Sequence, residues 1–143
     1  MANFEKILVP VDFSEVAPVL AKWVKDFAKK LNAKIYVLYV LEDLSAYEGI
    51  YVDIKTLTEF EKTLYEGAQK SMDDFMKAHF SDYSDVEAVI EKGDVVETII
   101  EVAKAKGVDL IVMGTHGRKG LDKILFGSVA EGVVKNSPIP VVT

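Results

Sequence analysis

Apolar residues fall along this chain in two rhythms: short unbroken runs, and longer stretches in which they return every three or four positions. The short runs predict buried strands and the longer stretches predict amphipathic helices. Ile7 to Val11, interrupted only by Pro10, reads as the first strand, ending at Asp12. Ser14 is placed to cap the following helix, with Pro18 in its early turns. Leu20, Val24, Phe27, Ala28 and Leu31 keep helical spacing until Asn32 ends the run. Lys34 to Leu41 (KIYVLYVL) is a second strand, apolar on both faces and therefore central. Residues 42–56 have no clean period and form a long connection. From Leu57 the helical pattern resumes through Phe60, Leu64, Ala68, Met72, Phe75 and Met76, fading near His79.

The second half repeats the alternation. Val86 to Ile90 is a third strand. Asp94 with Glu97 three residues on makes a capping box for a helix buried through Val95, Val96, Ile99, Ile100 and Ala103 and stopped by Gly107. Leu110 to Met113 is a fourth strand. Val129, Val133 and Val134 give a short helix its apolar face, and residues 138–143 (PIPVVT) form a fifth strand. The order βαβαβαβαβ predicts an α/β fold: a single domain, 1–143, with a doubly wound parallel five-stranded sheet and helices on both faces. Ligands of such sheets sit beyond the carboxyl ends of the strands, where the strand order reverses. Asp12 follows the first strand and Gly114 the fourth, so both reach one crevice if those strands are neighbours there.

Residues 114–128 read GTHGRKGLDKILFGS. Gly114 and Gly117 suit a sharp turn or a close backbone approach. A helix beginning at Gly127-Ser128, with Ser128 and Glu131 in capping-box spacing, would point free N–H groups at an anion. Strand, glycine loop and helix start together predict a phosphate cradle. Arg118, Lys119 and Lys123 oppose Asp122 alone in this loop, making it locally basic within a chain of net charge −6.

That acidity excludes non-specific nucleic-acid binding, which needs a basic face, and argues against an anionic membrane surface. The absence of cysteine removes disulfides, thiolate nucleophiles and Cys-type metal sites, and fits a reducing compartment. The first residues do not read as a signal peptide. The longest uncharged apolar stretches are about seven residues, far below the roughly 20 that span a bilayer. The expected location is cytoplasmic.

Three segments carry a resemblance: VPVDFS at 9–14, VMGTHGRKG at 112–120 and FGSVAE at 126–131 resemble the universal stress protein family. The G-x2-G-x9-G-[S/T] spacing of its nucleotide-binding members is complete in Gly114, Gly117, Gly127 and Ser128. The resemblance covers essentially the whole chain and implies an ATP-binding domain of strand order 3-2-1-4-5. It implies that Asp12 and the backbone at Val11 and Val40 lie around adenine and ribose, beside Pro10 and Met113. Gly114, Gly117, Arg118, Gly127, Ser128 and Val129 would line the ribose and phosphates, and His116 lies within the same loop. A divalent ion, Mg²⁺ or Mn²⁺, would be held through the phosphates, and the last strand would pair two copies into a homodimer.

Read from the residues alone, several positions stay open. Glycines at strand ends also serve simply as turn formers, and Asp12 could be a turn or capping residue. His116 is open to three readings: a solvated loop residue, a phosphate contact or a general base. His79, Met72 and Met76 read as structural, and Trp23 as partly packed against the sheet. The chain lacks G-x-x-x-x-G-K-[ST], and no G-x-G-x-x-G follows the first strand. Only a cradle is visible, without the positioned charge and nucleophile of a fast phosphoryl-transfer enzyme. The expected function is ATP binding by a regulatory stress protein with little or no turnover. The alternatives are a dimeric interaction protein that binds no nucleotide, with a protein partner still to be named, and a slow ATP hydrolase.

Overall fold

A computed structural model of the chain describes residues 4–14, 16–43, 53–115 and 121–143, with the backbone alone for 121–126. Five parallel strands form one sheet in the order β3-β2-β1-β4-β5. The strands are β1 (Lys6–Pro10), β2 (Lys34–Leu41), β3 (Val86–Lys92), β4 (Leu110–Val112) and β5 (Val141–Val142). Between them run α1 (Ala17–Leu31), α2 (Ile54–His79), α3 (Val95–Ala105) and α4 (Leu121–Asn136).

The period of two in the strands divides the core. Ile7, Val9, Ile35, Val37, Leu110 and Val112 face α1 and α2, where they meet Ala21, Val24, Ala28, Met72 and Phe75. Leu8, Tyr36, Leu38, Ile111 and Met113 face α3 and α4, against Ile99, Val102, Ala103, Ala130 and Val133. With both faces covered, β1 and β2 can be almost wholly apolar, as the sequence predicts for central parallel strands.

Local signals set most helix ends. Asn32 closes α1 in the left-handed region (φ 53°), which asparagine tolerates better than most residues. Asp94 caps α3 by accepting the Glu97 N–H at 3.0 Å. Gly107 follows α3 with φ +66°, a conformation open to glycine at little cost. Asp53 caps α2 by accepting the Thr56 N–H at 2.8 Å.

Several expectations are corrected. The helix expected to start at Gly127-Ser128 starts at Leu121, so both residues lie inside α4 and Ser128 is not its cap. Leu121, Lys123 and Leu125 are good helix formers, and an interior glycine costs only about 1 kcal/mol relative to alanine. Glu131, expected to complete the box, instead pairs with Lys135 at 3.0 Å. Ser14 does not cap α1: the N-cap position is Val16, without a side-chain cap bond, and the Ser14 carbonyl accepts the Ala17 N–H. The fifth strand shrinks from 138–143 to Val141–Val142, since Pro138 and Pro140 have no N–H to give to a ladder. The connection after β2 ends at Asp53, because α2 starts three residues earlier than expected. Phe60 and Val134, expected on buried helix faces, are exposed, and Trp23 is 47% exposed, its ring stacked on Phe27.

Candidate functional site

The site is built where the sheet reverses. β1 leads into α1, which returns over one face to β2; β4 lies on the other side of β1 and leads into α4. The register pairs Pro10 with Leu38 and Leu8 with Ile111. Asp12 and Gly114 each lie two residues past the ends of these neighbouring strands, β1 and β4. This is the crevice expected of a doubly wound sheet.

A small cleft of about 10 Å³ opens at that point, lined by Pro10, Val11, Asp12, Ser14, Val16, Ala17, Leu20 and Gly114. It unites the exits of β1 and β4, as the sequence predicts for Asp12 and Gly114. The start of α1 adds its N-cap Val16, with Ala17 and Leu20 of the helix, to the lining, and sequence reasoning did not place these in the site. Ser14, expected only as a helix cap, also lines it and is buried. The signal that could have found these residues is continuity with Asp12: a helix starting within a few residues of a strand exit must present its first turn there.

The turn at Asp12 is tightly specified. The Asp12 carboxylate accepts the Ser14 N–H at 3.0 Å, so the turn-forming role left open for this residue is filled. One such bond uses one of about four lone-pair sites of a carboxylate, and acceptor capacity is left for a ligand hydroxyl or amine. Between them Phe13 has φ 60°, unusual for an aromatic residue and costing on the order of 1 kcal/mol. Its ring stacks on Tyr39 at 4.7 Å and meets Phe75 edge-on at 5.8 Å. Each such contact is worth about 0.5–1.5 kcal/mol beyond area burial, enough to offset the strain.

The remaining predicted residues fall into three groups. Val40 and Val129 are partly buried against the core on the α3/α4 face, where the Met113 side chain is fully enclosed; Met113 can therefore serve a ligand only through its backbone. Gly127 comes close to the β4 exit, a Cβ built on it lying 3.1 Å from the Thr115 carbonyl oxygen, while Ser128 is exposed on the neighbouring position of α4. His116, Gly117 and Arg118 lie outside the described residues, and with them the central part of the expected phosphate cradle. Among the described residues, no group of three or more His, Asp or Glu side chains could hold a metal ion, and no helix is long and apolar enough to cross a membrane.

Comparison with known proteins fits this geometry. The model of the Universal stress protein family matches residues 3–143. Universal stress protein MJ0577 of Methanocaldococcus jannaschii is 35% identical, over 96% of this chain and 93% of the relative. Its solved structure superposes with a TM-score of 0.80 at 33% identity, over 99% of this chain and 95% of the other. UspA from Lactobacillus plantarum superposes with a TM-score of 0.81 at 28% identity, covering 99% and 98%. Two more distant structures share the fold: a universal stress protein in complex with cAMP (TM-score 0.64, 20% identity, covering 99% and 96%) and one from Archaeoglobus fulgidus in complex with dAMP (0.65, 19%, covering 99% and 98%). With the family model spanning nearly every residue and the strand order in agreement, this chain belongs to the universal stress protein family.

Proposed function

We propose that this protein binds an adenine nucleotide, ATP first among them, beyond the carboxyl ends of β1 and β4, with little or no turnover. The observation that carries the reading is the convergence of Asp12 and Gly114, at the exits of β1 and β4, where the strand order reverses. Asp12 supplies acceptor oxygens suited to a ribose hydroxyl or the adenine amine, beside the backbone of Val11 and Val40. Gly114, Gly117, Arg118, Gly127, Ser128 and Val129 take the ribose and phosphates, with Pro10, Met113 and His116 alongside. The close approach of Gly127 to Thr115 supports this grouping, because it brings α4 against the exit of β4. The cAMP and dAMP held by the two distant family members have in common an adenine base and one phosphate. A divalent ion, Mg²⁺ or Mn²⁺, would be held through the phosphates rather than by a protein cage.

The motifs support low turnover: the glycine spacing expected of a cradle is present and no Walker-type lysine accompanies it. A stress-responsive regulator in the cytoplasm, signalling through its shape or a protein partner, is the role that fits binding without chemistry. The protein also pairs with a second copy through the β5 edge. Among the described residues β5 bonds only to β4, and Val142 stays 37% exposed there, the kind of apolar edge that invites pairing.

Calorimetry tests the reading. Wild-type protein is expected to bind ATP with an affinity on the order of micromolar, and Asp12→Ala to weaken it by roughly ten- to a hundred-fold, a lost charged hydrogen bond being worth roughly 1.5–3 kcal/mol. Product formed on incubation with ATP should not exceed the amount of protein. Absence of binding heat for ATP and AMP with the wild type would reject the nucleotide reading. Sedimentation of a single monomeric species at micromolar protein would reject the dimer.

A further inference from the structure

We infer that Phe13 is a positioning residue of the nucleotide site: its ring, wedged between Tyr39 and Phe75, holds the turn that presents Asp12 to the cleft. The inference rests on the nucleotide reading of that cleft and names the device that sets its affinity.

Three observations converge on Phe13. Its backbone has φ 60°, one of two positive values among the described non-glycine residues, and the other, Asn32, is a residue type that tolerates it. An aromatic residue adopts this conformation only where its surroundings over-determine it. The surroundings are visible: Tyr39 at the end of β2 stacks on the ring with an interplanar angle of 28°, and Phe75 of α2 meets it at 63°. Both partners are remote in sequence, so the turn is fixed by tertiary contacts and not by its own preferences.

The turn so fixed is the one that matters for ligand. Asp12 precedes Phe13, Ser14 follows it, and the Asp12 carboxylate bonds across it to the Ser14 N–H. Both neighbours line the cleft, whereas Phe13 itself packs into the core on the α1/α2 face. The chain therefore alternates cleft, core, cleft over three residues. Releasing the ring would let residue 13 return to a negative φ, which rotates the flanking peptides and turns the Asp12 carboxylate away from its present line. Phe13 needs no contact with ligand to do this; it acts through Asp12.

The test uses full-length Phe13→Ala, Tyr39→Ala and Phe13→Tyr with ATP calorimetry, thermal melts, and the Ser14 amide signal in nucleotide-free protein. Phe13→Tyr keeps the stack and is expected to bind as wild type. Phe13→Ala and Tyr39→Ala are expected to shift the Ser14 amide and to weaken ATP about ten-fold, the order of one lost charged hydrogen bond. Tyr39→Ala leaves the turn residues intact and carries the test if Phe13→Ala does not fold. Lower melting temperature with unchanged ATP affinity would assign the stack to stability alone and overturn the inference, leaving the nucleotide reading in place. Absence of ATP heat in the wild type would overturn the nucleotide reading and this inference with it.

Discussion

Gly127 lies so close to the carbonyl oxygen of Thr115 that a Cβ built on it would stand 3.1 Å away. The contact joins the second turn of α4 to the residue after Gly114, and it explains a glycine inside a helix. A side chain here presses on backbone, which yields poorly. Gly127→Val adds branched bulk and is expected to destabilise by roughly 1–3 kcal/mol, the usual cost of overpacking. Gly127→Ala sets a helix-propensity gain of about 1 kcal/mol against a milder clash and should fall between valine and wild type. Urea denaturation midpoints check the order; a valine variant as stable as wild type would show that α4 sits farther from β4.

Gly67 provides the opposite case in α2. Nothing lies within 4 Å of a Cβ built there. Gly67→Ala should therefore stabilise the protein by about 0.5–1 kcal/mol, through reduced freedom of the unfolded chain and better helix propensity. A rise in the melting temperature without change in ATP binding is the expected result.

The reach of the sequence follows the reach of the interactions. β2 was legible because its eight residues are apolar on both faces, and Asp94 because a cap bond spans only three residues. The α4 start was not: Gly127-Ser128 has the form of a helix start, but Leu121, Lys123 and Leu125 favour helix ahead of it and one glycine does not break the run. The exposure of Phe60 was illegible for a geometric reason. Glu61 pairs with Lys92, the last residue of β3, at 2.7 Å, which puts this part of α2 at the carboxyl end of the sheet, where Leu57 is still buried but Phe60 is not. A 26-residue helix is about 39 Å long and β2 only about 26 Å, a mismatch that hydrophobic periodicity does not carry. In the site, Asp12 and Gly114 were readable as strand exits. Phe13 was not, because its backbone conformation runs against local preference and is imposed by Tyr39 and Phe75.

Tyr83 ties the segment after α2 to the start of β2 by donating its hydroxyl to the Ala33 carbonyl. Burial pushes the phenol pKa upward, with the Asp85 charge adding to it. Ala33 is 1% exposed, so removing the donor leaves a carbonyl that water reaches poorly. Tyr83→Phe is expected to cost about 1–3 kcal/mol, the penalty of an unsatisfied buried acceptor. Chemical denaturation measures it, and a loss well below 1 kcal/mol would mean that Ala33 finds another donor.

The N-terminus of α2 gives the fold a pH dependence at the acid end. Asp53 accepts the Thr56 N–H, and this bond to the ionised form holds its carboxyl below the ordinary aspartate range. Because the folded pKa is the lower one, the unfolded chain binds the proton more readily. The stabilisation is then complete above the unfolded value, about 3.9, and is lost as the pH falls through the folded value. Asp53→Asn separates capping from charge, since asparagine caps nearly as well and does not titrate. The variant should match wild-type stability near neutral pH after allowance for the helix dipole, and lose less between pH 5 and pH 3, windows set by the same reference value. Asp53→Ala should be less stable than both at neutral pH and converge on wild type in acid, where the wild-type cap is protonated. Parallel acid limbs for all three proteins would show that the cap bond does not survive in solution.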